Sequence, residues 1–301
     1  MSYTEFLCRF PDNDACLDYL KAKFYPDGTA CPKCGKASRF HRIKGRSAYS
    51  CQFCGTHVYP TAGTIFHKST TSLQLWFWAI YLASSSKCGI SAKQLGREIG
   101  VGYKTSWRML NKIRTLLGQD DERLSGDVEV DETFMSGRLR ESERRKRERD
   151  GIHKNTPAYH HKGKMVVAAV ERGGRVRASV AEDRTKPTLH AKIREFVLPE
   201  SMIFTDEWSL YGGIGAQYKG HKRVRHKARI YVEGDAGTQN VEGFFALFKN
   251  SVRGAHHNIS AKYLPNYLDE YTLRWNFRKA GAGVIFWEIL DWAQKASLAD
   301  A

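Results

Sequence analysis

Four of the seven cysteines stand as Cys31-Pro-Lys-Cys34-Gly and, 16 residues later, Cys51-Gln-Phe-Cys54-Gly. Two residues between thiolates let each pair chelate one tetrahedral ion, and Gly35 and Gly55 permit the tight turn after each pair. The segment between them alternates and carries a turn-forming Lys44-Gly45, which predicts the short strands of a zinc ribbon closed on one structural Zn²⁺. Residues 1–60 are therefore read as a ribbon region, too small to fold on its own core without the metal. Cys31, Cys34, Cys51 and Cys54 form the ligand set; His41 and His57 are not needed and read as surface residues or DNA contacts. Cys8, Cys16 and Cys88 show no disulfide framework, which fits a reducing, cytoplasmic compartment. The N-terminus has acids early and no apolar core of a secretory signal.

Residues 61–120 change to helical spacing. The run from Ser72 to Ser86 is apolar on all sides and predicts a buried helix, shorter than a membrane span needs. Beyond it, Ile90, Leu95, Ile99, Val101, Trp107, Leu110 and Ile113 have the spacing of a helix-turn-helix, with Ser91 as N-cap and Gly100 at the turn. The second helix is expected to expose Tyr103, Lys104, Thr105, Arg108, Lys112 and Arg114, residue types suited to phosphates and base edges in a major groove. The chain carries 48 Lys and Arg against 32 acids, a net charge of +16, which points to a polyanion such as double-stranded DNA.

Within this basic chain, three acids draw attention: Asp131 in a β-rich run, Asp206 after the apolar MIFT, and Glu242 at the start of an amphipathic stretch. Strands are expected at 127–134, 164–172 and 175–182, with Gly173-Gly174 as a hairpin turn. A helix at 185–197, a buried strand at 202–205 and a later helix follow. That order is the order of an RNase-H-like α/β core, assigned here to residues 121–282, with 283–301 as a helical tail. Period-two alternation puts Glu129 on the face of Asp131 and Glu132 on the other, so Glu129 is the chief rival of Asp131. Glu233 and Asp235 compete with Glu242. Lys249 lies two helical turns after Glu242, on the same face. Carboxylates converging from strand ends and a helix can hold two divalent cations, Mg²⁺ or Mn²⁺, over a phosphodiester. The basic runs 138–149 and 221–229 are expected to meet DNA backbone, the second through Lys222, Arg223 and Arg225. Residues 138–149 read as a solvated helix or a disordered loop, and 261–278 as a packing helix whose Arg274 and Arg278 are candidates to face DNA.

Taken in order, the cysteine ribbon, ISAKQLGREIGVGYKTSWRML, EVDETFMSG, TDEW, VEGFFALFK and ISAKYLPNYLDEYTLRWNFR resemble the zinc-ribbon DDE transposases of bacterial insertion sequences. The similarity is to the ISXO-like group, related to Merlin elements, and covers nearly the whole chain. It implies catalytic acids at Asp131, Asp206 and Glu242, a cation at Lys249, and two-metal cleavage and strand transfer. It also implies binding to terminal inverted repeats and target DNA, as a homodimer or higher assembly on the nucleoid, with no membrane partner. Gly237, Gln239 and Phe245 depart from residues frequent in the group. Two other readings stay open from sequence: a domesticated, non-catalytic DNA-binding regulator, and an RNase-H-like nuclease without strand transfer.

Overall fold

The computed structural model describes residues 1–118, 121–135, 141–152, 163–224 and 237–295. The chain forms two compact units: residues 1–116 together with the segment from 280 onward, and residues 117–279.

The first unit opens with helices α1 (Tyr3–Arg9) and α2 (Asn13–Phe24), capped by Ser2 and Asp12 side chains on backbone N–H groups. Five short strands follow: β1 (Thr29–Ala30), β2 (Ala37–Ser38), β3 (Phe40–Arg42), β4 (Tyr49–Cys51) and β5 (His57–Val58). They form a β1–β2 pair and an antiparallel β3–β4–β5 sheet. Each cysteine pair is followed by a glycine at positive φ, Gly35 at 70° and Gly55 at 69°, where a Cβ would be strained. Helix α3 (Leu73–Ser85) buries Trp76, Phe77 and Ile80, as its all-round apolarity predicts. Helices α4 (Ala92–Ile99) and α5 (Tyr103–Arg114) are joined by a turn in which Gly100 takes φ 70°. Ser91 caps α4 through Gln94 N, and Gly96 brings α4 so close to Val101 and Ser106 that a Cβ there would lie 2.8 Å from the Val101 carbonyl. The aromatic core of this unit includes Phe6, Phe10 and Phe77, which are joined by Phe286 from a much later segment.

The second unit is built on a five-stranded sheet. Its strands are β6 (Asp127–Met135), β7 (Lys164–Glu171), β8 (Val176–Val180), β9 (Met202–Thr205) and β10 (Gly220–Arg223), in the spatial order β10-β9-β6-β7-β8. β6, β7 and β8 are antiparallel neighbours, while β9 is parallel to β6 and β10 to β9. This is the order expected of an RNase-H-like core. Alternation along β6 and β7 splits the hydrophobic side chains between two faces. Val128, Val130, Val167 and Ala169 meet helix α7 (Lys186–Phe196) through Leu189, Ile193 and Phe196. On the other face, Val166, Ala168 and Val170 meet Val241, Phe244 and Phe248 of α8 (Gln239–Ser251) and Leu268 of α9 (Leu264–Asn276). Each fully buried Phe of α8 contributes about 1.5–3 kcal/mol of transfer free energy, so this face holds the helix against the sheet. An exposed helix α6 (Glu141–Arg149) carries the basic insertion; residues 138–140 of that run lie outside the described residues.

Several expectations are corrected. The basic run at 221 begins on a strand, β10, which the sequence reading left unassigned. Arg114 is buried at 3% exposure rather than displayed on α5. Arg274 does not face outward: its guanidinium donates to Glu270 at 2.7 Å, and both side chains are buried. The terminal helix α10 (Ala282–Lys295) packs with the first unit, Phe286 against Phe6 and Trp287 against Phe10. No helix among the described residues is long and apolar enough to cross a membrane.

Candidate active site and metal centre

The cysteine centre is the simpler of the two sites. Cys31, Cys34, Cys51 and Cys54 place their Sγ atoms all within 4.8 Å of one another. The Cys31–Cys54 and Cys34–Cys51 separations are 3.7 and 3.9 Å. Four thiolates at a Zn–S distance of ~2.3 Å around a tetrahedron stand about 3.8 Å apart, so the residues present fit a Zn²⁺. The thiols differ: against a backbone hydrogen bond from Lys36, burial and the other cysteines push Cys34 up to about 11. The Ser38 hydroxyl donates to Cys51 Sγ at 3.2 Å and Phe53 N–H at 3.4 Å. Donation from Ser38, ahead of the backbone, holds the Cys51 thiol down at about 6. By contrast, burial pushes the lone Cys16 thiol up to about 12, as suits an inert core residue. His41 and His57 are exposed. Arg42 and Tyr49 of the ribbon strands bond Asp14 and Asp18, tying the ribbon to α2.

The acidic site is assembled by sheet register. Glu129 of β6 pairs with Phe204 of parallel β9, so Asp206, two residues beyond Phe204, comes level with Asp131, two residues beyond Glu129. Neighbouring strands run ~4.8 Å apart, and parity directs Asp131, paired with Ala168, to the face covered by α8. Glu242 lies in the first turn of that helix. Burial pushes the half-buried Asp131 carboxyl up to about 7; the charges of Asp206 and Glu242 add to the rise, and Lys249 opposes it. These four side chains therefore share one electrostatic site. It is open: among the described residues, only the cysteines bring three or more donor atoms mutually within 4.8 Å. Asp206 Oδ1 accepts from Trp208 N–H at 2.9 Å, and Glu242 Oε1 accepts from the Thr238 hydroxyl at 2.8 Å. Hard carboxylate oxygens from three neighbouring acids are a donor set suited to Mg²⁺ or Mn²⁺. Lys249 Nζ also lies 5.8 Å from the Phe245 ring.

The two neighbouring acids separate cleanly. Glu132 points to the opposite face, where it accepts from the buried Tyr211 hydroxyl at 2.5 Å. Burial pushes it up to about 8, against that hydrogen bond. Glu129 is 2% exposed and fully engaged, by Arg172, Asn240 and Val241. Alternation along β6 makes it a rival to Asp131, but its partners lie 43 and more positions away in sequence. Glu233, Asp235 and Arg225 lie outside the described residues.

The expected DNA-facing residues divide. Tyr103 is 61% exposed, Lys104 and Arg108 are exposed, and Thr105 is half-buried at the start of α5. Lys112 is half-buried and donates to the Ile65 carbonyl at 3.2 Å. On β10, Lys222 and Arg223 are exposed.

Comparison with known proteins agrees with this architecture. Residues 123–276 match the ISXO2-like transposase domain, and residues 11–57 match the transposase zinc-ribbon domain. The chain is 26% identical over 262 residues to an uncharacterized protein in transposable element ISH50 of Halobacterium salinarum, covering 85% of this chain and 88% of that one. The matched core spans just over half of the chain and contains the sheet, Asp131, Asp206 and Glu242, and by this match the chain belongs to the ISXO2-like transposase family.

Proposed function

We propose that the protein is the transposase of an insertion sequence, which binds the element's terminal inverted repeats, cleaves at their ends and joins the freed 3′-hydroxyls to target DNA. The observation that carries this reading is the meeting of Asp131, Asp206, Glu242 and Lys249 at one electrostatic site on a family-matched core. Asp131, Asp206 and Glu242 are the cation-holding residues, and bound Mg²⁺ or Mn²⁺ supplies Lewis-acid stabilisation of the phosphate and lowers the pKa of bound water. Asp131 must give up its proton to act, which the nearby cation favours; Lys249 offers its ammonium to a phosphate oxygen. In-line displacement at phosphorus needs no covalent enzyme intermediate.

Recognition is assigned to the first unit. Residues 1–60 act as a zinc ribbon and 61–120 as a helix-turn-helix whose α5 presents Tyr103, Lys104, Thr105 and Arg108 to the groove, with Lys112 supporting the base of the helix. Lys222, Arg223 and Arg225 are assigned to phosphates of DNA entering the 121–282 core. Cutting and joining two ends calls for at least a homodimer on DNA, working on the nucleoid.

The test combines purified protein with DNA carrying the flanking inverted repeats, with and without Mg²⁺, beside Asp206→Asn. Metal-dependent nicking at the repeat ends with joined products, both lost in the variant, is expected. Specific binding without cutting overturns the enzymatic reading in favour of a regulator, and cutting without joining overturns strand transfer in favour of a nuclease.

A further inference from the structure

The first turn of α8 is capped from outside the helix. Its N-cap, Thr238, makes no side-chain capping bond, and instead donates to Glu242. The orphan donors of the helix go to Glu129 on β6: Asn240 N–H at 2.7 Å and Val241 N–H at 3.2 Å, both to Oε2. Oε1 takes Asn240 Nδ2 at 2.9 Å and Arg172 Nε at 3.0 Å. A carboxylate with four donors, 2% exposed and set at the positive end of a 13-residue helix, is held in one position. Arg172 extends the clamp. It follows β7, donates its backbone N–H to Asp127 at 3.0 Å and Nη2 to the Gly237 carbonyl at 3.2 Å. Its guanidinium lies 3.9 Å from the Phe204 ring centroid on β9.

The three elements that carry the site acids thus meet at one buried ionic junction, two residues from each acid. Glu129 precedes Asp131 by two, Phe204 precedes Asp206 by two, and Asn240 precedes Glu242 by two. Hydrophobic contacts of Phe244 and Phe248 press α8 onto the sheet, but apolar contact is non-directional and leaves the helix able to slide or turn. Directional bonds to its first turn fix its axial position and rotation, and Glu242 lies in that turn.

We propose that Glu129 is a positioning residue: its carboxylate, held by Arg172, sets where Glu242 stands relative to Asp131 and Asp206, and so sets the affinity of the acidic site for divalent cations. This rests on the transposase reading for its catalytic consequence, but not for its structural one. Outer-sphere partners of metal-holding groups typically change metal affinity 10–100-fold when altered. The test is Glu129→Gln, which keeps the shape but turns a donor toward the Asn240 amide and Arg172.

Mn²⁺ binding to the cation-free, zinc-replete protein is measured by electron paramagnetic resonance, with hydrogen exchange of the peptides covering 238–248 and β7. The expected result is Mn²⁺ affinity weakened about tenfold or more, faster exchange in the first turn of α8, and unchanged protection of β7. Half-maximal cleavage should need correspondingly more Mg²⁺, while affinity for repeat DNA holds. Asn240→Ala, which removes one donor without stranding a buried charge, serves should Glu129→Gln fail to fold; it should move the same readouts by less. Unaltered Mn²⁺ affinity with unaltered α8 exchange in a folded variant overturns the proposal. A wild-type protein that never cleaves overturns the transposase reading alone, because Mn²⁺ binding and exchange still decide the role of Glu129.

Discussion

Asp131→Asn should stabilise the cation-free core at alkaline pH. In the fold the carboxyl is pushed up to about 7 from an ordinary 3.8, burial being the main cause. A folded pKa above the unfolded one means that protonation favours the folded state. The contribution is complete below about pH 4 and is lost as pH rises through 7. At pH 8 the ionised group then costs the core roughly 4 kcal/mol, about three pKa units at 1.36 kcal/mol each. Relaxation and solvent at a half-buried site reduce this to about 2–4 kcal/mol, and at pH 5 the difference falls to about half or less. The assay is urea unfolding in buffer freed of Mg²⁺ by dialysis, without a chelator that would strip the cysteine centre. Pulse-labelled hydrogen exchange of β7 reads the second unit alone. Added Mg²⁺ should offset most of this difference: the wild type gains about 2.7 kcal/mol at a hundred times its dissociation constant, the variant little. A variant no more stable than wild type at pH 8, or a difference that ignores pH, would refute the burial of an ionised Asp131 as a cost to the cation-free core.

Three further outcomes are expected. Cys54→Ser should abolish stoichiometric zinc by elemental analysis and expose the β4 amides to exchange, while β7 stays protected, since ligand loss removes folding free energy of the ribbon. Gly96→Ala should cost about 1–3 kcal/mol in thermal unfolding of the first unit, because its Cβ would meet the Val101 carbonyl at 2.8 Å. Gly102→Ala, with nothing within 4 Å, should stay within about 0.5 kcal/mol. Glu270→Leu removes the carboxylate that Arg274 donates to and should lower the stability of the second unit by up to about 3–5 kcal/mol, read from its urea midpoint.

What the sequence disclosed follows from which signals are local. The cysteine spacing and the alternation of 127–134, 164–172 and 202–205 carry their own geometry, so the ribbon strands, β6, β7 and β9 stand where pattern placed them. β10 escaped because Gly220–Arg223 has no apolar alternation; it is an edge strand paired to β9, and its charges read as surface. Arg114 and Arg274 escaped because charge argues for solvent, and only tertiary neighbours can bury it. The bonding of Glu129 was equally out of reach. Alternation put it on the face of Asp131, but its partners are 43 and more positions away in sequence. The site's outline was thus legible from strand ends and helix phase, whereas its internal bonding was a product of long-range packing.

The return of α10 to the first unit has a consequence for how the protein is made. Phe286 must reach Phe6, Phe10 and Phe77, so nearly the whole second unit is synthesised before the first can close its core. An N-terminal unit of most proteins folds as it leaves the ribosome. Here the cysteine ribbon and the α4–α5 pair emerge early onto a scaffold whose aromatic centre stays bare until translation has passed residue 286. A chain stopped short would keep that greasy patch in water, a mark for chaperones and proteases. The closing of the first unit's core is thus tied to the end of synthesis rather than to its beginning.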